Sequence, residues 1–273
     1  MKLLFTDLDG TLFNKEKNVS SRLRLGLQTM LDNGHVLVLA SGRPLKSIID
    51  TQSYLQLTSD NLYISAFNGA MLYHCSTQTL LHNQVITNAD ALRIVDLALE
   101  NNLHIQTYQD NIIVTPYNSR ELAYYTRSVI LETIISHPIS NVLHSDVSKL
   151  IAINLDNAEP LEAFAALLTK EIGTHITTSF SNPSYLEIFS ANAGKGKSVT
   201  FLRDYFHLTD EDTYAVGDAE NDLSMLHAAG TGCAVRNATE TVKAAADYIL
   251  SRSNEEDGVL ELLEHFGFLT LND

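Results

Sequence analysis

The chain has 273 residues, 45% of them apolar and 19% charged, with 18 Lys+Arg against 33 Asp+Glu and a formal net charge of −15. This composition excludes a chain disordered throughout. The length allows one large domain or two modest ones, because single cores stop growing near roughly 250–300 residues. The acidic balance, with no basic stripe to offset it, argues against nucleic acid or an anionic membrane as main partner. An anionic substrate would need a local positive site built from a metal, a lysine or oriented N–H groups.

In chain order, the apolar run Leu3-Leu4-Phe5-Thr6 leads into Asp7, an acid placed too early for a signal peptide. No apolar run reaches the roughly 20 residues of a membrane span. Cys75 and Cys233 are the only cysteines and lie far apart, so nothing requires an oxidising compartment. The expectation is a soluble, cytoplasmic protein. A helix follows, capped by Ser20 or Ser21, with Leu23, Leu27, Met30 and Leu31 at helical spacing and Asn33-Gly34 as its stop. Val36 to Ala40 is a second apolar run, ending in Ser41-Gly42-Arg43. Runs of this kind suit parallel strands buried on both faces. Tyr63 to Phe67, Tyr214 to Val216 and Cys233 to Val235 read as further strands of the same sheet.

The stretch from about 84 to 187 has a different rhythm. A helix pattern (Ala91, Leu92, Ile94, Val95, Leu99) precedes two strands joined by a hairpin turn at Gln109-Asp110-Asn111. A helix with Leu122, Tyr125, Val129 and Ile130 comes next, then a strand at Leu150 to Ile153. A helix from Leu161 to Leu168 and two short strands, the second ending near Phe189, close the segment. The pattern predicts an inserted domain with its own sheet.

In open parallel sheets, ligands bind beyond the carboxyl ends of the strands, where Asp7, Asp9, Ser41, Asn68 and Asp218 all fall in this reading. Asp7 and Asp9 point the same way along a strand, and alone they would read equally well as a solvated strand end. Gly10-Thr11 favours a tight turn presenting both carboxylates, and Asp218 and Asp222 bring a second acidic pair to the same edge. Hard oxygen donors of this kind suit Mg²⁺, which keeps several waters and takes one or two carboxylates plus a substrate phosphate. Without a cation they would repel one another and a phosphate alike.

Gly194-Lys195-Gly196-Lys197-Ser198 ends like a P-loop, but Ala191 stands where that motif needs its first glycine. The lysines read instead as candidates to neutralise a bound phosphate. The ten histidines show no paired metal-ligand spacing, and His35, His104 and His207 read as ordinary strand-end or loop residues. The tyrosines and the Asp110-Asn111 turn read as core or surface, and 254–257 as a solvated acidic turn.

Taken together, DLDGT at 7–11, Ser41-Gly42-Arg43, Asn68-Gly69-Ala70, Lys195-Gly196 and GDAEND at 217–222 resemble the ordered signatures of the haloacid dehalogenase superfamily. The resemblance is specifically to its Cof-type phosphatases with a large cap, and it covers essentially the whole chain. It implies an α/β fold: a doubly wound, Rossmann-like parallel-sheet core at 1–83 and 188–273, with an inserted α/β cap domain at 84–187 that shuts out bulk water. Asp7 would be the nucleophile that forms an aspartyl-phosphate. Asp9 would be general acid and then general base, its protonated form favoured by proximity to Asp7. Mg²⁺ would be held by the Asp7 carboxylate, the Asp9 backbone carbonyl and Asp218, with Asp222 behind them or acting through water. Ser41, the N–H groups of Leu8 and Gly42, Lys195 and Asn221 would hold the phosphoryl oxygens. Arg43 and Asn68 would contact the substrate or join the two domains.

The implied activity is Mg²⁺-dependent hydrolysis of a small phosphorylated metabolite, such as a sugar phosphate or a phosphorylated cofactor like pyridoxal phosphate or flavin mononucleotide. The alternatives are a phosphotransferase or mutase of the same superfamily and a non-catalytic phosphate-binding regulatory module. The full set of nucleophile, acid/base, metal and lysine residues weighs against the last. The expected state is a monomer or homodimer.

Overall fold

The structure is a computed structural model that describes residues 1–270. In chain order its elements are β1 (Leu3–Asp7), α1 (Ser21–Asp32), β2 (Val36–Ala40), α2 (Leu45–Leu55), β3 (Leu62–Ala66), β4 (Met71–His74), β5 (Thr79–Asn83) and α3 (Asn88–Glu100). Next come β6 (His104–Gln109), β7 (Ile112–Thr115), α4 (Arg120–Tyr125), β8 (Thr133–Ile135), β9 (Lys149–Ile153), α5 (Glu159–Glu171), β10 (Ile176–Asn182) and β11 (Tyr185–Ser190). The chain closes with α6 (Lys195–Tyr205), β12 (Thr213–Gly217), α7 (Leu223–Ala228), β13 (Thr231–Ala234), α8 (Glu240–Ala245), β14 (Tyr248–Ile249) and α9 (Gly258–His265). Among the described residues no helix is long and apolar enough to cross a membrane.

The chain divides into two compact units, one formed by Met1–His82 and the stretch from Gly194 on, the other by Asn83–Ala193. Residues 188–193 thus fall in the second unit, outside the expected 84–187, because β11 runs on to Ser190 within that unit's sheet.

The first unit is built on an eight-stranded sheet in the order β14-β13-β12-β1-β2-β3-β4-β5. Its strands from β14 to β3 pair in parallel, while β4 returns antiparallel to β3. The apolar runs fill its centre: Leu3, Leu4, Phe5 and every residue of β2 are wholly buried. Helix α1 starts where Ser20 Oγ accepts the Leu23 N–H at 3.0 Å, and it buries Leu23, Leu27, Met30 and Leu31. Sequence order reverses across β1, which sits between β12 and β2. That is the kind of switch point where an open sheet leaves a crevice beyond its strand ends. Strands β4 and β5 were not expected from the sequence; most of their residues are half-buried or exposed, so they lack the apolar run that marks the central strands.

The second unit holds a six-stranded sheet, β10-β11-β9-β6-β7-β8. Ile105, Leu150, Ala152, Leu186 and Ile188 form one core with Ile94 and Ala98 of α3 and Leu161, Phe164 and Leu168 of α5. The hairpin turn lies at Asp110 and Asn111, both at positive φ, as two-residue loops of this twist require. Helix α4 stops at Tyr125, short of the expected Val129 and Ile130. Thr126 and Ser128 hydroxyls bond back to the carbonyls of Leu122 (3.0 Å) and Tyr125 (3.1 Å), in competition with the helix. Ile130 is left 92% exposed, and the chain goes on to form the unexpected β8 beside β7.

By strand alternation, Lys149 and Glu187 lie on the opposite face from that core, paired at 2.7 Å with side chains only 2% and 6% exposed. Breaking a buried pair leaves an uncompensated charge, whereas replacing both partners is often tolerated. Lys149→Met is therefore expected to cost about 3–5 kcal/mol in urea unfolding. The Lys149→Met/Glu187→Leu double variant should recover most of that loss, and equal instability of the two variants would disprove the account.

Candidate active site

The site belongs wholly to the first unit, at the carboxyl ends of β1, β2, β3 and β12. In the β1–β2 register Asp7 lies opposite Ala40, so the last residue of β1 stands beside the strand that delivers Ser41. On the other side β12 ends in Gly217, and Asp218 follows directly. The turn after β1 brings these two edges together. Gly10 has φ +88°, and a Cβ there would collide with the Asp218 carboxylate; no other residue fits that turn without strain. Thr11 then donates from Oγ1 to Asp218 Oδ1 at 2.7 Å.

Lys195 arrives from the start of α6. Gly196 lets this helix approach so closely that a Cβ would overlap the Ser224 carbonyl of α7. The Lys195 Nζ donates to Asp7 Oδ1 and Asp222 Oδ1, each at 2.6 Å, and the lysine is 1% exposed. Asp222, fully buried, uses its other oxygen to accept the backbone N–H groups of Asp218 (3.0 Å) and Ala219 (3.2 Å). Asp7, Asp218 and Asp222 each place a carboxylate oxygen within 4.8 Å of the others.

Electrostatics follow from this crowding. Burial, then the charges of Asp222 and Asp218, push the Asp7 carboxyl well above its ordinary range, against the pull of Lys195. Asp218 is pushed up to about 6, mainly by burial, with Asp222 adding to it and the Thr11 bond opposing. Burial alone would weaken the charge on Lys195, but Asp222 and Asp7 outweigh it and hold the ammonium firmly protonated. One lysine thus faces three clustered carboxylates. The donor set, hard oxygens under mutual repulsion, fits a divalent cation such as Mg²⁺. Asp222, with both oxygens already bonded, is the member least suited to direct ligation.

Asp9 departs from expectation. Its carboxylate is gripped by Arg43, with Nε to Oδ2 at 2.7 Å and Nη2 to Oδ1 at 2.5 Å, and Lys17 also bonds Oδ1. Burial pushes this carboxyl up, but the Arg43 and Lys17 contacts outweigh it and hold it below the usual carboxylate range. Proximity to Asp7 does not favour a protonated Asp9 here; the two basic side chains favour the ionised form.

The remaining predicted residues surround this cluster. Ser41 is buried and accepts the Arg43 N–H on Oγ at 3.2 Å. Asn68, in a one-turn 3₁₀ segment after β3, has φ 56° and donates its backbone N–H to the Ser41 carbonyl at 3.1 Å. Leu8 is wholly buried, and its carbonyl accepts the N–H groups of Leu12 (3.1 Å) and Phe13 (2.8 Å), closing the turn after β1. Gly42 links Ser41 to Arg43, and Asn221 sits half-buried in the 3₁₀ turn Glu220–Asp222. Lys197 is exposed on α6, whereas Lys195 reaches the carboxylates.

Residues not singled out from the sequence also shape the site. Asn237 donates from Nδ2 to the Gly10 carbonyl at 2.7 Å, and Lys17 reaches Asp9. Neither lies in a signature, so only the folded chain brings them here. His104, read from the sequence as an ordinary strand-end residue, opens β6 and bonds Gln106 (3.1 Å) and Ser119 (3.0 Å) in the second unit.

Comparison with known proteins agrees with this arrangement. A family model for haloacid dehalogenase-like hydrolases matches residues 4–263. Phosphatase YwpJ of Bacillus subtilis is 28% identical over 289 aligned positions, spanning 97% of this chain and 99% of its own. The 5-amino-6-(5-phospho-D-ribitylamino)uracil phosphatase YitU of the same organism is 26% identical, with 97% of each chain covered. The crystal structure of a haloacid dehalogenase-like hydrolase from Bacteroides thetaiotaomicron matches with a TM-score of 0.88 at 32% identity, over 97% of this chain and 98% of that one. With the family model spanning nearly all of its length, and acidic and lysine signatures converging at the strand ends, this chain belongs to the haloacid dehalogenase-like hydrolases, in their Cof-type branch.

Proposed function

We propose that this protein is a Mg²⁺-dependent phosphomonoesterase that hydrolyses a small phosphorylated metabolite through an aspartyl-phosphate. The observation that carries the reading is the buried Asp7–Lys195–Asp222 bridge, with Asp218 beside it, at the switch point of the sheet.

Asp7 is the nucleophile: one carboxylate oxygen attacks phosphorus, the Asp7 O–P bond forms, and the ester P–O bond breaks. Asp9, whose ionised form Arg43 and Lys17 favour, first takes up a proton from solvent and gives it to the departing alkoxide; the carboxylate so restored takes a proton from the water that attacks the acyl phosphate, releasing inorganic phosphate and freeing Asp7. Ser41, the N–H groups of Leu8 and Gly42, Lys195 and Asn221 hold the phosphoryl oxygens, which is where catalysis of phosphoryl transfer chiefly lies. The Asp7 carboxylate, the Asp9 carbonyl and Asp218 would hold the metal. When bound, Mg²⁺ supplies positive charge that offsets the carboxylate crowding and the charge of the phosphoryl group. The named relatives are phosphatases, and the compound named for one of them carries its phosphate on a ribityl chain, a sugar-alcohol counterpart of the sugar phosphates proposed for this protein.

The test is phosphate release from a panel of phosphorylated sugars, sugar alcohols and cofactors. Turnover should concentrate on a few compounds and fall by roughly 10²-fold or more when EDTA replaces Mg²⁺. No release from any compound by folded protein supplied with Mg²⁺ would overturn the hydrolase reading.

A further inference from the structure

We infer that Arg43 is the positioning residue for Asp9, acting on the carboxylate rather than on the substrate. The inference rests on the phosphatase reading above. Both edge nitrogens of the guanidinium meet both oxygens of Asp9, the two-point geometry that only arginine offers a carboxylate.

The fork is itself braced. The Arg43 N–H is bonded to Ser41 Oγ at 3.2 Å, and its carbonyl accepts the Phe67 N–H at 3.1 Å, so its backbone is pinned at two points. Its head lies 5.9 Å from the centre of the Phe13 ring, and Phe13 is tied back by its N–H to the Leu8 carbonyl at 2.8 Å. The Arg43 side chain is 21% exposed. Asp9, by contrast, has a side chain 39% exposed, and its other partner, Lys17, is 59% exposed. An exposed lysine contact is a weak restraint on a rotamer.

An acid/base group must be held to a fraction of an ångström to hand a proton to one particular oxygen. Arg43 is the rigid element that does so, and one end of the fork must yield when Asp9 carries a proton, because both oxygens are occupied.

The experiment measures kcat/KM, which covers steps through leaving-group departure, for wild type, Arg43→Ala, Arg43→Lys, Asp9→Asn and the Asp9→Asn/Arg43→Ala double variant. Two esters are compared: p-nitrophenyl phosphate, whose leaving group needs little protonation, and ribose 5-phosphate, whose alkoxide needs a proton. Should wild type leave ribose 5-phosphate untouched, the best alkyl ester of the panel replaces it. Arg43→Ala should lose about 10²-fold on the alkyl ester and less than about 10-fold on the nitrophenyl ester. Arg43→Lys, which keeps the charge but not the fork, should recover little of that loss. In the Asp9→Asn background, Arg43→Ala should change the rate by less than about threefold, since the two residues act as one unit. Equal losses on both esters, or effects that multiply in the double variant, would assign Arg43 to the substrate and overturn the inference. A wild type without Asp7-dependent turnover on any ester would instead sink the phosphatase reading itself.

Discussion

Asp7→Asn is expected to lower kcat on the order of 10⁴-fold or more while leaving the protein folded. The asparagine matches the shape of the buried side chain at the end of β1, and its amide oxygen still accepts from Lys195. It lacks the anionic oxygen that must bond to phosphorus. Stability should not fall and is expected to rise slightly. The substitution removes one negative charge from a buried group that Asp222 and Asp218 crowd, which is why its carboxyl lies so far above the ordinary range. Steady-state turnover of the best substrate and a thermal melt without added metal test the two halves together. Turnover within about tenfold of wild type would remove Asp7 from the nucleophile role.

Lys195→Met is expected to cost about 3–5 kcal/mol in urea unfolding and to abolish measurable turnover. Lys195 bridges Asp7 and Asp222, and those carboxylates are 6% and 0% exposed. Methionine fills much the same volume, so the loss reports charge rather than a cavity. A cost of this size is a large share of the roughly 5–15 kcal/mol that holds a typical domain together. Adding Asp222→Asn to Lys195→Met removes one of the stranded charges and should restore part of the stability, but none of the activity. A Lys195→Met protein as stable as wild type would show that the cluster holds no unrelieved charge.

These two variants separate roles that a list of active-site residues merges. Asp7 is placed for chemistry at a cost in electrostatic crowding, whereas Lys195 serves both folding and phosphate binding. Asp9 differs from both, being partly exposed and held from outside by Arg43, so its loss should alter rate far more than stability.

The apolar runs that end in Asp7, Ser41 and Gly217-Asp218 could be read as strands directly, because a strand buried on both faces must be apolar along its length. Their polar endings placed Asp7, Ser41 and Asp218, with Asp222 close behind, near one sheet edge, since parallel strands deliver their carboxyl ends to one side. The helix from Ser21 and the Asp110-Asn111 hairpin were equally legible, being set by capping and by backbone conformation within a few residues. Local chemistry did not extend to β4, β5 and β8, whose residues alternate or are partly exposed and which exist because a neighbouring strand offers hydrogen bonds. Nor did it reveal which cation meets which acid. Lys195 and Asp7 lie 188 positions apart, and only the packing of α6 against the sheet selects that pairing over Lys197. The same holds for Asp9: read as a sequence neighbour of Asp7 it should hold its proton, but the fold turns it toward Arg43 and Lys17. The sequence by itself determined the central parallel strands and their acidic edge, because these depend on residue type and short-range periodicity, and the resemblance carried by its ordered signatures supplied the family of chemistry. The tertiary structure decided the ionic partners and thus the charge state of each group, because these depend on contacts between segments far apart in the chain.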